Sequence, residues 1–500
     1  MFEKKIKKNK DEMIQNLQSL IRIPSVSNPT NNPLMPFGEG AAKALEFMLN
    51  LGKALGFRTK NVDGYCGYIE FGSGEKLLGI LAHLDVVPEG ENWTYPPFSA
   101  TIDNGKIFGR GSIDDKGPAM ASLYAMKVVM DYHTENNIPF TGRVRLILGL
   151  NEEKDWDCIN YYKSHEEAPT IGFSPDADFP CIYAEKAIMS ESIKMDLKNW
   201  LQTPENTSIQ ITELDCNNNA INVVPKIASC ILKIDTNKIS MDSLISNIQN
   251  IKSAKKIDNL EIDIYQINNE QLKLTSHGIQ AHAAHPDLGI NAISRLLILL
   301  NKIFKSYNIS YPILEFFNNT IGTEYSGKSL GINCEDESGK LTLNVGTISI
   351  ENNIFEIGCN LRVPVKTETS KIHEQIENIA SQYTYIGKSQ EQNSCKQPAI
   401  TVETVKLQDA LYISKDDPLV TTLCNIYNKV TTSNAEPIAI GGGTYARAFP
   451  NCISFGANLP GNKDMCHQTD EFISIENLLL ATQIYAEAIE VYMETGLLQT

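Results

Sequence analysis

Two continuous apolar runs with a helix-length segment between them constrain the fold of this chain more than any other feature. The runs cover residues 77–84 and 144–150, and neither alternates polar with apolar residues. Such runs are typical of strands that are buried on both faces of a parallel sheet. The segment 117–132 between them predicts a helix, with Pro118 near its first turn. A strand, a helix and a second strand in this order predict an α/β sheet covered by helices.

A change of composition after about residue 186 predicts an inserted domain. Residues 187–398 are rich in Asn, Ile and Lys, and they mix strand patterns such as 227–235 with amphipathic helix patterns such as 291–307. The α/β style returns from about residue 399 and ends in a helix predicted over 475–496. We therefore expect one domain formed by residues 1–186 and 399–500, interrupted by an α+β domain of residues 187–398.

Charge and cysteine usage exclude several classes of function. Lys and Arg number 44 and Asp and Glu number 60, which gives a formal net charge of −16. Because no basic block interrupts this acidic chain, neither nucleic acid nor an anionic membrane is an expected partner. No apolar stretch reaches the roughly 18 residues of a membrane span, and the charged N-terminus lacks a signal-peptide pattern. Eleven scattered cysteines without a C-x-x-C motif are typical of a reducing compartment, so we expect a cytoplasmic protein.

Acidic and imidazole side chains follow the predicted strands at five places. Since the carboxyl ends of strands in an α/β sheet meet at one edge, we expect these groups to converge. Each motif alone also fits an ordinary turn, a helix cap or a solvated acidic loop. Together, so many acids would repel one another unless cations lay between them, and mixed nitrogen and oxygen ligands favour two ions of zinc, manganese or cobalt type. The candidates are His83 with Asp85, Asp114 with Asp115, Glu152 with Glu153, Asp176 with Asp178, and His467.

Two of these motifs suggest a division of labour between neighbouring residues. Positions i and i+2 of a strand point the same way, so the Asp85 carboxylate can bond the far nitrogen of His83 and fix its tautomer. Successive residues in extended backbone point in opposite directions, so either Glu152 or Glu153 can bind a metal while the other faces a reacting water. Cys466 is interpreted as packing, because the neighbouring candidate ligands are oxygen and imidazole types.

The order and spacing of nine motifs resemble a known family nearly from end to end. The chain is similar to the cocatalytic zinc metallopeptidases that include aminoacylase, carboxypeptidase G and the Xaa-His dipeptidase, and most closely to the dipeptidase V group among them. The resemblance implies a mixed-sheet, helix-covered zinc-exopeptidase catalytic domain with an inserted α+β lid domain. The motifs are IRIPSVS, HLDVVPEG, GRGSIDDKGP, LNEEKDWDC, GFSPDADFP, GIQAHAAHP, NLRVP, GGGTYARAFPN and MCHQTDEF.

The resemblance implies two divalent metal ions, zinc or manganese or else cobalt, held by five side chains. Asp114, rather than Asp115, would bridge the ions, because the family's pattern sets the bridging acid first and a cis peptide after it. Glu152 would be the general base, and Asp85 would orient a ligating histidine. The implied ligands are His83 and Asp176 for one ion, Glu153 and His467 for the other, and Asp114 for both.

The lid and a glycine run are implied to contact the substrate. The G-x-x-x-H pattern that starts at Gly278 points to His282 as the group that stabilises the tetrahedral intermediate, with His277 and His285 as neighbouring alternatives. An arginine in NLRVP would bind the substrate carboxylate, and the glycine run would offer backbone amides beside it. The substrate-binding residues so implied are Asn222, Arg362, Gly442 and Gly443.

The activity that the resemblance implies is metal-dependent hydrolysis of short peptides by a dipeptidase. Two alternatives stay open at this point. One is an N-acyl amino acid amidohydrolase, which would use the same metals, and the other is a non-catalytic relative that binds peptides. The insert of 212 residues is about twice the length of the lids in dimeric relatives, so the resemblance further implies a monomer.

Overall fold

The computed structural model describes residues 2–201, 208–254, 257–384, 398–463 and 465–496. Within it the chain divides into two units. The first unit joins the residues up to Glu185 to those from Leu411 onward, and the second unit is Lys186–Ala410. The sequence places the domain limits after residues 186 and 398, and these limits stay a prediction.

Both ends of the chain contain helices as well as strands. The helices are α1 (Glu3–Ile21), α2 (Glu39–Ala54), α3 (Lys116–Glu135), α4 (Asp157–His165), α5 (Leu197–Trp200), α6 (Met241–Ser253), α7 (Ala292–Ser306), α8 (Pro312–Thr320), α9 (Thr369–Ala380), α10 (Pro418–Thr431) and α11 (Ile475–Thr495). The strands before the insert are β1 (Arg58–Val62), β2 (Cys66–Gly72), β3 (Leu77–His83), β4 (Thr101–Asp103), β5 (Lys106–Phe108), β6 (Arg143–Gly149), β7 (Ile171–Ser174), β8 (Ala177–Asp178) and β9 (Ile182–Glu185).

The remaining strands belong to the insert and to the C-terminal segment. Those of the second unit are β10 (Ala187–Asp196), β11 (Ile209–Asp215), β12 (Val223–Val224), β13 (Ile227–Ile234), β14 (Glu261–Gln266), β15 (Gln271–His277), β16 (Ala281–His282), β17 (Glu335–Asp336), β18 (Gly339–Lys340), β19 (Thr342–Glu351), β20 (Ile354–Val363) and β21 (Thr401–Gln408). The last are β22 (Leu411–Tyr412), β23 (Ile438–Ile440), β24 (Cys452–Ser454), β25 (Ala457–Asn458) and β26 (Phe472–Ser474).

A mixed sheet forms the centre of the first unit. Its strand order is β1-β2-β6-β3-β7-β24-β9-β22, with β23 paired to β9. The strand β3 lies between β6 and β7 and runs parallel to both, whereas β2 is antiparallel to β6. Every residue of β3 is buried, which explains why its sequence lacks polar alternation. The carboxyl ends of β3, β6 and β7 therefore lie side by side at one edge.

Helices cover this sheet, so the predicted α/β class is confirmed. α3 contacts β3 and β6 and also packs against α1 and α11. α11 begins where the Ser474 side chain accepts a hydrogen bond from the N–H of Asn477, and it ends at Gly496, whose φ of 69° suits a C-terminal glycine. The apolar periodicity of the sequence predicts the first helix over residues 11–22, and α1 begins eight residues earlier, at Glu3. The first turns of α1 are mostly charged, and Phe2 and Ile6 are their buried apolar residues. Two such residues are too few to form a periodic pattern.

The second unit contains two four-stranded antiparallel sheets with helices packed on them. The sheets have the orders β19-β20-β10-β21 and β11-β13-β15-β14. α7 contacts β13, β15 and β19, and eleven of its residues are buried. A short ribbon of β12 and β16 pairs Val223 with His282 and Val224 with Ala281. We call this pair of strands the His282 ribbon.

Two further sequence expectations concern membranes and disulfides. Among the described residues, no helix is long and apolar enough to cross a membrane. The ten described cysteines are all free thiols. The cysteine pattern therefore agrees with the absence of a disulfide framework within the described part of the chain.

Candidate metal centre

The five predicted metal ligands converge at the carboxyl edge of the first unit's sheet. His83 is the last residue of β3, Glu153 follows β6 by four residues and Asp176 follows β7 by two. Asp114 lies in the loop before α3, and His467 lies in the loop before β26. Because β6, β3 and β7 are neighbours, these loops start from adjacent points.

These ligands form two groups that share one carboxylate. His83, Asp114 and Asp176 make the first group, and Asp114, Glu153 and His467 make the second. Nε2 of His83 lies 3.0 Å from Oδ1 of Asp114 and 3.7 Å from Oδ2 of Asp176. Nε2 of His467 lies 3.1 Å from Oδ2 of Asp114 and 3.0 Å from Oε1 of Glu153. Each oxygen of Asp114 therefore faces a different histidine and carboxylate pair.

The donor set and its spacing fit divalent cations. Ligand atoms about 2.1 Å from a zinc ion lie roughly 3 to 3.5 Å from one another. The nitrogen–oxygen separations within the two groups fall between 3.0 and 3.7 Å. Imidazole nitrogen and carboxylate oxygen are also the donors that zinc and manganese accept. Cys466 is in neither group among the described residues, and its interpretation as packing stays a prediction.

Asp114 and Asp115 have different environments although they are adjacent. The peptide between them is cis. The Asp114 carboxylate joins the two ligand groups, whereas Oδ2 of Asp115 accepts the backbone N–H of His83 at 3.0 Å. Asp115 is fully buried. The geometry therefore brings Asp114 between the groups and makes Asp115 an anchor for the end of β3.

Asp85 contacts His83, but through a different atom from the one expected. Nδ1 of His83 donates to the backbone carbonyl of Asp85 at 2.9 Å, while the nearer carboxylate oxygen lies at 3.5 Å. The carboxylate instead accepts the N–H groups of Glu152 and Glu153, at 3.1 and 3.2 Å. Asp85 thus leaves Nε2 of His83 facing the acids and also fixes the turn that carries the two glutamates.

Glu152 lies beside the ligand groups without belonging to either. Residues 152–155 form a turn, so the extended backbone expected for the glutamate pair is not present. Glu153 nevertheless contacts His467, and Glu152 is absent from both groups of potential ligand atoms among the described residues. Of the two glutamates, only Glu153 therefore belongs to a group of potential ligand atoms among the described residues, and the division of their roles stays a prediction.

The electrostatics of the cluster indicate a deficit of positive charge. Burial, and then the charge of Asp114, raise the pKa of Asp176 to about 6 and that of Glu153 to about 7. Burial also raises the pKa of Glu152 well above its ordinary range. Partial burial lowers the pKa of His467, but the carboxylates of Asp114 and Glu153 outweigh it and raise that pKa to about 11. Cations bound between these carboxylates would neutralise their charge and so allow them to stay deprotonated.

A buried ion pair that sequence reasoning missed supports the loop of Asp114. Glu471 is fully buried, and its carboxylate accepts the N–H groups of Ile113 at 2.9 Å and Asp114 at 3.3 Å. Nη1 of Arg110 donates to the other oxygen at 2.7 Å. The acid in the motif TDEF was the available signal, because a glutamate beside a candidate ligand is a common partner of the metal site.

A second missed acid holds the glycine run in place. Glu185 is fully buried and accepts hydrogen bonds from the backbone and hydroxyl of Thr444, from Ser454 and from Nε of Arg447. Nη2 of Arg447 donates to the carbonyl of Gly442 at 2.6 Å. A Cβ on Gly443 would lie 2.8 Å from the Arg447 guanidinium carbon. A larger residue at this position would therefore displace the Arg447 guanidinium from its contacts with Glu185 and Gly442.

The predicted lid residues all lie in the second unit. Asn222 and His282 are exposed, and the Nδ1 atom of His282 accepts the N–H of Ala284 at 3.3 Å. Arg362 is buried in β20, where its Nε donates to Asn360 at 3.1 Å. Of the two alternatives to His282, His277 pairs with the Asp263 carboxylate at 2.8 Å, and His285 is exposed.

Comparison with known proteins identifies the family. Residues 79–491 match the family model of Peptidase family M20/M25/M40, and the chain belongs to this family. YtjP of Bacillus subtilis strain 168, provisionally named a dipeptidase, is 38% identical over 493 residues, which cover 98% of each chain. A Staphylococcus epidermidis protein with the same provisional name is 33% identical over 498 residues, again 98% of each. The resemblance found in the motifs is therefore confirmed, and the chain is a peptidase.

The fold agrees with that of solved members. Human carnosine dipeptidase 1 superposes with a TM-score of 0.55 at 14% identity, covering 97% of this chain and 96% of that chain. At this identity the likeness concerns the fold alone. The mixed-sheet unit with its inserted α+β unit is thus an architecture that this chain shares with a solved structure.

Proposed function

We propose that this peptidase is a metal-dependent dipeptidase, an exopeptidase that hydrolyses dipeptides in the cytoplasm as a monomer. The observation that carries the proposal is the Asp114 carboxylate, whose two oxygens face two separate pairs of histidine and acid. This arrangement is typical of centres in which two cations share one carboxylate. The provisional names of the two relatives favour dipeptides as substrates.

Five side chains would hold the two cations, which are zinc, manganese or cobalt. When bound, they supply charge that polarises a carbonyl and favours deprotonation of a water molecule. The side chains of Asp85, Asp115 and Glu471 hold the backbone near these ligands in place. Their carboxylates accept hydrogen bonds from the backbone N–H groups of proposed ligands or of residues next to them. Such partners keep ligands in place before substrate arrives. The ligands are His83, Asp114, Glu153, Asp176 and His467.

Glu152 is the proposed general base. It takes a proton from the attacking water and passes it to the leaving amine. Burial raises its pKa well above the ordinary value, which suits a group that must both accept and donate near neutral pH. Its backbone N–H is held by Asp85, so the side chain starts from a fixed point beside Glu153.

Residues outside the ligand groups are proposed to bind substrate, on the family's pattern. His282 would donate to the oxyanion that develops in the transition state, a contribution typical of preorganised donors. The planar guanidinium of Arg362 suits a substrate carboxylate. Asn222 and the backbone of Gly442 and Gly443 complete the proposed set. A carboxylate anchor at a set distance from the reacting bond would select very short peptides.

A substrate panel tests the proposal against the deacylase and binding alternatives. Chelated protein is supplied with Zn²⁺, Mn²⁺ or Co²⁺ and offered L-dipeptides, a β-alanyl dipeptide, a tripeptide and N-acetyl amino acids. We expect cation-dependent cleavage of dipeptides with a free amine. Cleavage of the N-acetyl compounds alone would assign the enzyme to the amidohydrolases. Failure to cleave any member with any ion would favour a peptide-binding role.

A further inference from the structure

A cavity of about 100 Å³ lies within the second unit. It is lined by β12, by residues 343–345 of β19, by the first turn of α7 and by the segment 323–325, all of which belong to that unit. A water molecule needs roughly 10–15 Å³ of such volume, so the cavity has room for several waters or for a small ion of a few heavy atoms. None of its lining residues is a candidate metal ligand.

Arg295 supplies this cavity with a buried positive charge. The residue is 8% exposed, and Nη1 donates to the backbone carbonyl of Asn291 at 3.0 Å. Its Nε is buried without a hydrogen-bond partner among the described residues. Burial lowers the pKa of Arg295, and the charge of Asp258 partly opposes this effect. A guanidinium stays charged in proteins, so a buried nitrogen without a partner indicates a missing acceptor.

The surroundings of Arg295 favour an anion as that acceptor. The cavity lies at the N-terminus of α7, a helix of fifteen residues, where the helix dipole is positive. Thr323 and Tyr325, which carry hydroxyl groups and are exposed, also line the cavity. Glu324 also lines the cavity, but its carboxylate accepts hydrogen bonds within its own loop, from Ser326, Lys328 and Ser329.

We propose that this cavity is a binding site for a small oxyanion, a carboxylate or a phosphate, held by Arg295. Two sources share this chemistry, namely inorganic phosphate and the carboxylate of a free amino acid. A bidentate guanidinium contact suits both. The site shares no residue with the five-ligand cluster.

Occupancy of the site would reach the His282 ribbon. Val224 of the ribbon and Gly289 line the cavity, and Val224 pairs with Ala281. Nδ2 of Asn344 donates to the carbonyls of Ile221 and Val223 at 3.2 and 3.0 Å. An anion in the cavity would therefore stabilise the base of the ribbon. Any effect of this on turnover rests on the proposed role of His282, whereas binding itself does not.

The test measures anion binding to the metal-loaded full chain. Phosphate, acetate and alanine are titrated at constant ionic strength with chloride, and binding is followed by calorimetry and by the thermal unfolding midpoint. We expect saturable binding of phosphate or of the carboxylates by the wild-type protein. Arg295→Met should weaken it by about 10- to 100-fold, because a hydrogen-bonded charge is lost. Amide exchange at residues 221–224 and 281–290 should slow on binding.

Two further variants keep the test decisive. Thr323→Glu retains Arg295 and places a carboxylate at the cavity, so it should weaken binding to the same degree even if Arg295→Met fails to fold. Lys305→Met removes an exposed charge from the same helix and should bind like the wild type. Binding that is equal in Thr323→Glu and Lys305→Met, or no saturable binding of any oxyanion, would overturn the proposal. An inactive enzyme with Arg295-dependent binding would contradict the proposed function and leave this site standing.

Discussion

Replacing Glu471 by glutamine should destabilise the first unit and weaken metal binding together. The Glu471 carboxylate is fully buried between Arg110, which is 2% exposed, and the N–H groups of Ile113 and Asp114. Burial and the charge of Asp114 raise the pKa of Glu471, whereas Arg110 opposes the rise. The substitution keeps the size of the side chain but leaves the Arg110 guanidinium buried without its counter-charge.

The expected size of the effect follows from this burial. Removing one partner of a buried ion pair costs about 3–5 kcal/mol, and we expect the lower end because the amide oxygen of glutamine can still accept both N–H groups. For a unit of this size that corresponds to a fall of roughly 6–8 °C in the unfolding midpoint. Loss of a group that positions a metal ligand typically costs about 10- to 100-fold in metal affinity.

Calorimetric unfolding and metal titration of the same preparation measure both effects. Glu135→Gln is the matched control, because Glu135 pairs with Lys5 while its own side chain is 63% exposed. An exposed pair contributes little to stability, so the control should behave like the wild type. If Glu471→Gln had the midpoint and the metal affinity of the control, the buried pair would not support the Asp114 loop.

Three further outcomes test the assignment of roles. Glu152→Gln should retain both metal ions while kcat falls at least about 100-fold, because the variant loses a proton acceptor but no metal ligand. If metal analysis showed the loss of an ion, Glu152 would be the ligand and Glu153 the general base. His282→Ala should lower kcat by about 10²–10³ at unchanged metal content. If His277→Ala lowered kcat by this factor instead, His277 would be the residue that stabilises the oxyanion. Cation affinity should rise between about pH 6 and 8, because Glu153, with a pKa of about 7, is increasingly deprotonated over that range and a ligand must lose its proton before a cation binds. Equal affinities in titrations at the two pH values would contradict this.

The fold was predictable where burial leaves little choice of residue. β3 is buried on both faces, so its sequence is a continuous apolar run, and its parallel neighbours follow from the intervening helix. The start of α1 was missed because two apolar anchors, Phe2 and Ile6, are too few to form a period. Sequence periodicity thus identifies helices and strands that have an extended buried face. It does not detect helical turns that are anchored by only one or two buried residues.

The convergence of candidate ligands was also predictable, because they follow strands whose ends must meet at one edge. The hydrogen bonds that hold these ligands in place were not predictable from the sequence. Asp85, Glu185 and Glu471 accept hydrogen bonds from loop groups, and Asp115 accepts one from the end of β3. Such contacts depend on the path of the loops rather than on any periodic pattern. The choice of Asp114 over Asp115 came from the family resemblance, since the residues alone left both open.

The number of cations bound per chain tests the central claim most directly. Chelated protein is titrated with Mn²⁺ or Zn²⁺ while bound metal and the hydrolysis of a dipeptide are measured on the same samples. The shared Asp114 carboxylate predicts two ions per chain, with hydrolysis appearing as the second site fills. Full activity with one ion per chain, or hydrolysis that persists in excess chelator, would contradict a two-metal centre.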